Sequence, residues 1–142
     1  MSAIYSTIYS QINTILSGVA SVKEIFQHPT ADFTKYPAVV YFPSSVANTF
    51  GTNNDSFREY KFKLFVVAGL DQTSMSHIFG TVLANTCDDV IQAFDTNWAL
   101  NSIDGRRVWI RIDSGEWAVE KTDKGLIGVA EFDLIIKLSV NN

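Results

Sequence analysis

Two histidines and a single cysteine are the residues of this chain best suited to proton transfer or nucleophilic attack. His77 and Cys87 stand on one segment with helical periodicity, ten positions apart. That spacing is a rise of roughly 15 Å along a helix, while a general base must lie about 3 Å from the proton it takes. Cys87 also falls on the apolar side of its segment, where a thiol acts as a small hydrophobe. His28 precedes Pro29 in a turn-rich stretch and reads as a loop residue. Asp88, Asp89 and Asp95 are three nearby carboxylates, but neighbours on a helix diverge by about 100° and Asp95 lies two turns on, so a solvated face explains them better than a metal or acid pair. There is no glycine-rich phosphate loop, no His–Glu–His metal set and no Gly-x-Ser-x-Gly elbow. One cysteine permits neither an internal disulfide nor a thiolate-rich metal site, which suits a reducing interior. No catalytic residue, cofactor or metal is expected.

The remaining chemistry is that of surfaces. In "RRVWIRI", alternation puts Arg107, Trp109 and Arg111 on one side of a strand. Such a platform can stack bases, yet Asp104, Asp113 and Glu116 flank it, and the chain carries a net charge of −4 with a pI of about 5.0. Nucleic-acid affinity rests largely on Lys and Arg neutralising phosphates, and anionic membranes ask for the same sign of charge. A cation–π contact or a subunit contact fits the platform better.

The elements that position these groups follow from periodicity. Residues 2–18 read as a helix with a stripe of Ile4, Tyr5, Ile8, Ile12, Ile15 and Leu16, capped by Ser2 and stopped by Gly18 in a left-handed conformation. A short strand is expected at 21–27 and another at 38–42, bounded by Pro37 and Pro43, which mark a protected edge because proline gives no N–H to a ladder. Residues 44–56 are mostly small and polar and predict a long loop. Residues 57–69 alternate: Tyr60, Phe62, Leu64 and Val66 face one way, Glu59, Lys61 and Lys63 the other. A second helix is expected at 74–94, capped by Asp71 or Thr73, with Met75, Ile78, Phe79, Val82, Leu83, Cys87, Val90, Ile91 and Phe94 along its buried stripe. Residues 95–105 read as a turn-rich link. Strands follow at 106–113 and 116–121, with a turn at 122–125 before a long last strand in which Ala130, Phe132, Leu134, Ile136 and Leu138 share a face.

The order α-β-β-β-α-β-β-β predicts an α+β fold: a mainly antiparallel sheet with two amphipathic helices on one face, as a two-layer sandwich. The 142 residues form one expected domain, 1–142. Nothing at the N-terminus fits a signal peptide or membrane span, so a cytoplasmic site of synthesis is expected. The outward face of the sheet mixes Phe65, Trp109 and Ile135 with Lys61, Lys63, Arg107, Arg111, Glu131 and Asp133. It reads either as a subunit interface, where aromatics and arginine are enriched, or as an ordinary exposed face.

The succession "VKEIFQHPTADFTKYPAVVYFPSS", "FREYKFKLFVVAG", "DDVIQAFDTNW" and "SGEWAVEKTDKGLIGVAEFDLIIKLSV", after an opening helix, resembles the tail terminator (tail-completion) proteins of long-tailed bacteriophages and phage-like particles. The resemblance spans nearly the whole chain. It implies a non-enzymatic virion protein, assembled in the host cytoplasm, that forms a homo-oligomeric ring, usually a hexamer. The ring would cap the head-proximal end of the tail tube, end its polymerisation and meet the head connector. Implied partners are further copies of the chain, the tail tube protein and the connector or neck protein, with DNA passing through unbound. Glu59, Asp88, Asp89, Glu131 and Asp133 are possible pore-lining groups, and Val46, Phe50 and Phe57 possible loop contacts to a neighbour or the tube. The alternatives are a head-completion or neck subunit of the same virion, or a small ligand-binding or enzymatic domain.

Overall fold

The computed structural model describes residues 4–30, 33–50, 56–69, 77–103, 106–122 and 125–139. Helix α1 (Ile4–Ser17) leads to strands β1 (Glu24–Phe26), β2 (Ala38–Phe50) and β3 (Ser56–Gly69). A π-helical stretch, Ile78–Leu83, runs directly into helix α2 (Ala84–Thr96), and β4 (Ala99–Ile103), β5 (Arg106–Thr122) and β6 (Gly125–Ser139) complete the chain. The fold is α+β in character, a mixed six-stranded sheet in the order β1-β2-β3-β6-β5-β4. β1 runs parallel to β2, and every other neighbouring pair is antiparallel.

One face of the sheet carries the main core. Ile4, Ile8, Ile12 and Leu16 of α1, and Leu83, Cys87, Val90 and Phe94 of the second helical segment, meet Tyr41, Phe62, Leu64, Ile110, Phe132, Leu134 and Ile136. Period-two strands and period-3.6 helices therefore bury one stripe each, as alternation requires. Tyr41 is fully buried but satisfied: its hydroxyl accepts from Gln27 Nε2 at 3.0 Å and donates to the Tyr9 carbonyl at 3.1 Å. A smaller core covers one end of the opposite face, where Phe33 lies over Ala38, Val40, Val67, Ile127 and Val129.

Several sequence expectations change. The stretch 44–50 is strand, not loop: after a bulge at Pro43/Ser45, β2 continues pairing with β3 from Ser45–Lys61 to Phe50–Ser56. Small polar residues carry no strong strand preference, but a ladder already in register supplies their backbone partners. Residues 51–55 of the expected loop lie outside the described residues. Pro43 thus bends the strand at a bulge instead of ending it. Residues 106–113 and 116–121 are one strand, with a bulge between Ile112 and Gly115, and the 95–105 link contributes β4. Bulges bend strands and sharpen twist, consistent with a sheet that curls as a half-barrel where a two-layer sandwich was expected. The first helix tightens at its end through Gly18 N–H to the Ile15 carbonyl, 3.2 Å, and Gly18 is not left-handed; Gly125 is the one described glycine at positive φ. The expected caps Ser2, Asp71 and Thr73 lie outside the described residues.

Candidate functional site: the open face of the sheet

Away from the helices, β3, β6 and β5 present a continuous polar and aromatic surface. Register decides its content. Glu59 pairs with Lys137, Lys61 with Ile135, Lys63 with Asp133 and Phe65 with Glu131 across β3 and β6. Trp109 pairs with Lys137 and Arg111 with Ile135 across β6 and β5.

At the centre, Lys63 Nζ lies 2.8 Å from Asp133 Oδ1 and 3.8 Å from Glu131 Oε2. The hydrogen bond from Lys63 to Asp133, with the charges of both carboxylates, holds the ammonium pKa above its ordinary value. The side chain remains a third exposed, so solvent screens the pair. Lys63→Met is expected to cost about 0–1 kcal/mol of stability, checked by urea melts with and without high salt.

Nearer β4, aromatic groups take over. Lys137 Nζ sits 4.5 Å from the centre of the Phe57 ring, which in turn lies 6.0 Å from Trp109. Trp98, 57% exposed, completes a cleft of about 320 Å³ with Glu59, Trp109, Arg111, Ile135 and Lys137. Its lining mixes charged, aromatic and aliphatic side chains, a mixture that suits protein contact better than enclosure of a metabolite.

The expected surface residues divide by surroundings. Lys61, Lys63, Trp109, Arg111, Glu131 and Asp133 share the open face with Arg107 at its rim. Phe65 stacks on Phe42 at 5.7 Å and belongs to the smaller core's margin. Val46 projects from the β2 arm on the helix side, beside Tyr60 in the ladder, so it is no loop residue. Phe57 is a strand residue under Lys137. Phe50 ends β2, and its side chain lies outside the described residues. Asp88 and Asp89 are exposed on α2, with Ser21 donating to Asp89 at 3.0 Å. They belong to the helical layer and Glu59, Glu131 and Asp133 to the opposite sheet face, so no one surface holds all five acids. Trp98 and Lys137 were not singled out from sequence. Alternation along β6 already put Lys137 on this face, whereas nothing local to the link marked Trp98.

Nucleophilic chemistry finds no support among the described residues. Cys87 is 1% exposed, and burial pushes its thiol up to about 12. His77 is exposed at the start of the helical segment, and His28 is exposed beside Phe26. No group of three or more metal-ligating side chains occurs among the described residues, and no described helix is long and apolar enough to cross a membrane. Native Cys87 is expected to resist thiol reagents at pH 8 and to react fully once the chain is denatured.

Alkaline pH is expected to destabilise the fold. Cys87 rises from an ordinary 9.0, and Tyr41 from 10.0, each to about 12, because burial disfavours the anion. Both neutral forms favour the folded state below their unfolded values, and that stabilisation is lost as pH climbs from about 9 to 12. The raised Lys63 acts in the same direction above its ordinary 10.5. Melting temperature should therefore fall steadily above pH 9, and Cys87→Ala should remove the earliest part of the decline.

No family model matches this chain, and no curated protein does. Among solved structures, a chain of a virion of a native gene transfer agent particle matches with a TM-score of 0.52 at 12% identity, over 95% of this chain and 92% of that one. The chain thus shares a fold with a component of that particle along almost its whole length.

Proposed function

We propose that this chain is a structural, non-enzymatic protein of a phage-like virion, and within it the tail terminator. The observation that carries the broader reading is the end-to-end fold likeness to a chain of the gene transfer agent virion. The finer one draws on the family resemblance of the sequence. In this reading one domain, 1–142, assembles into a homohexameric ring on the head-proximal end of the tail tube. The ring stops tube growth, meets the head connector and lets DNA pass without holding it. The open sheet face, with Lys61, Lys63, Arg107, Trp109, Arg111, Glu131 and Asp133, contacts neighbouring virion proteins. Its mixture of aromatic groups, arginine and paired charges has the make-up of a partner-facing surface.

Particles assembled without this protein test the assignment. Tails of irregular, extended length are expected. Tails of normal length that fail to join heads would favour a neck or head-completion subunit instead.

A further inference from the structure

Two strands of the sheet lack an outer neighbour for much of their length. β1 pairs only with Ala38–Val40 of β2, so among the described residues β2 is bare from Tyr41 onward. β4 pairs with β5 over Arg106–Trp109, and Ile110 N–H reaches the Trp98 carbonyl at 2.8 Å. From Arg111 to Thr122 the outer side of β5 is likewise bare among the described residues. These edges lie on opposite sides of the sheet, and the ladder order makes their strands antiparallel to each other.

Both bare edges carry exposed apolar side chains, and on the same face. Val46 is 51% exposed on β2, Trp117 45% and Val119 48% on β5. Val46 is paired with Tyr60 and Trp117 with Ala130, both residues of the helix-side core. The opposite face carries charge at both edges, of both signs on the β2 side, where Glu59 sits beside Ala47. Lys61 sits beside Ser45, one strand in from the β2 edge, while Glu116 and Glu120 line the β5 edge. Left in water, two long edges of this kind are aggregation hazards, blunted here by Pro43 and the two bulges.

The geometry points to a second copy of this chain as the occupant, a deepening that rests on the ring reading above: the bare β2 edge of one protomer adds antiparallel to the bare β5 edge of the next. Residues directly opposite in such a ladder share a face. Setting Val46 against Trp117 places Ser45 against Ala118 and Asn48 against Gly115, and brings Val119 to Pro43 across the bulge. Ala47 then meets Glu116, with the neighbour's Lys61 on the diagonal and its Glu59 level one strand further in. The contact is heterologous, one edge meeting a different edge, so it propagates around a ring.

The stagger also suits closure. Within one protomer Val46 lies level with Ile136 and Ile110, whereas Trp117 is level with Ala130, six residues along β6 from Ile136. That is an offset of about 20 Å along the strands against about 19 Å across four strands. The ratio corresponds to a strand tilt of about 45°, the upper end of the range found in closed barrels.

Thiol cross-linking tests this with the full chain. Val46→Cys and Trp117→Cys proteins are prepared separately, mixed, and treated with a short bismaleimide; buried Cys87 stays silent. The mixture should give a cross-linked dimer that neither variant gives alone, and the double variant should give a ladder ending at the ring number. Val46→Glu should weaken self-association by at least about tenfold while leaving the melting temperature of the dilute monomer unchanged. Rings seen by electron microscopy without the mixed cross-link would overturn edge pairing and leave the ring reading standing. A monomer at every concentration, with no cross-link, would overturn both.

Discussion

Phe62→Ala is expected to lower the free energy of unfolding by about 3–5 kcal/mol, the cost of emptying a buried aromatic site. Phe62 is wholly buried, and its ring meets Tyr9 edge-on at 5.6 Å and lies 6.2 and 6.4 Å from Tyr5 and Tyr41. Those tyrosines come from α1 and from β2, so the ring joins helix to sheet at the base of the β2–β3 arm. The walls cannot collapse freely: Tyr41 is held in place by its bonds to Gln27 and the Tyr9 carbonyl. A domain typically has about 5–15 kcal/mol in hand, so the variant should melt many degrees lower. Denaturant melts measure the loss directly. Phe62→Leu, which keeps most of the volume, should recover more than half of it.

The second large effect is expected at Gly115. A Cβ built there falls 2.3 Å from Phe132 Cε1 and 2.4 Å from Cδ1, with the Glu131 carbonyl 3.3 Å away. Phe132 is 2% exposed and meets Trp117 edge-on at 5.8 Å, so its ring has little room to retreat. The glycine matters for this close approach across the ladder; it follows the bulge that bends β5. Gly115→Ala is expected to cost about 1–3 kcal/mol, the range for overpacking a filled core, and Gly115→Val more. If the clash is the cause, adding Phe132→Leu should make the double variant less destabilised than the sum of the two singles. Simple additivity would place the cost in the backbone of the bulge instead.

Much of the fold was legible because the residues that build it carry local periodicity. The stripe Ile4, Ile8, Ile12 and Leu16 of the first helix is buried as its spacing predicts, as are Leu83, Cys87, Val90 and Phe94 of the second. The alternation Tyr60, Phe62, Leu64, Val66 declared a strand with one core face, and the alternation of the last strand did the same. Where the reading failed, the deciding interactions were not local. Serine, alanine and asparagine at 44–48 resemble a loop, and only the partner strand β3, which comes later in the sequence, makes them strand. Ser114 and Gly115 resemble a turn, yet β6 carries β5 straight past them through a bulge.

The surface follows the same logic. Trp109 and Arg111 were visible as one side of a strand, but their company was not. The cleft they form with Glu59 and Lys137 exists because three strands align in one register, and Trp98 joins it from the short segment before β4. The bare edges were the least legible feature. Pro37 and Pro43 suggested an edge between them, whereas β1 covers β2 at Ala38–Val40 and the open edge begins at Tyr41. An edge is defined by a missing neighbour, which composition does not record.

The proposed ring depends on one property, assembly of this chain with copies of itself. Negative-stain electron microscopy of the purified protein over a range of concentrations, with the mass of each species measured by light scattering, tests it most directly. Closed rings of a single size with an open centre are expected, growing at the expense of monomer as concentration rises. Monodisperse single chains at every concentration, unchanged up to the solubility limit, would contradict it.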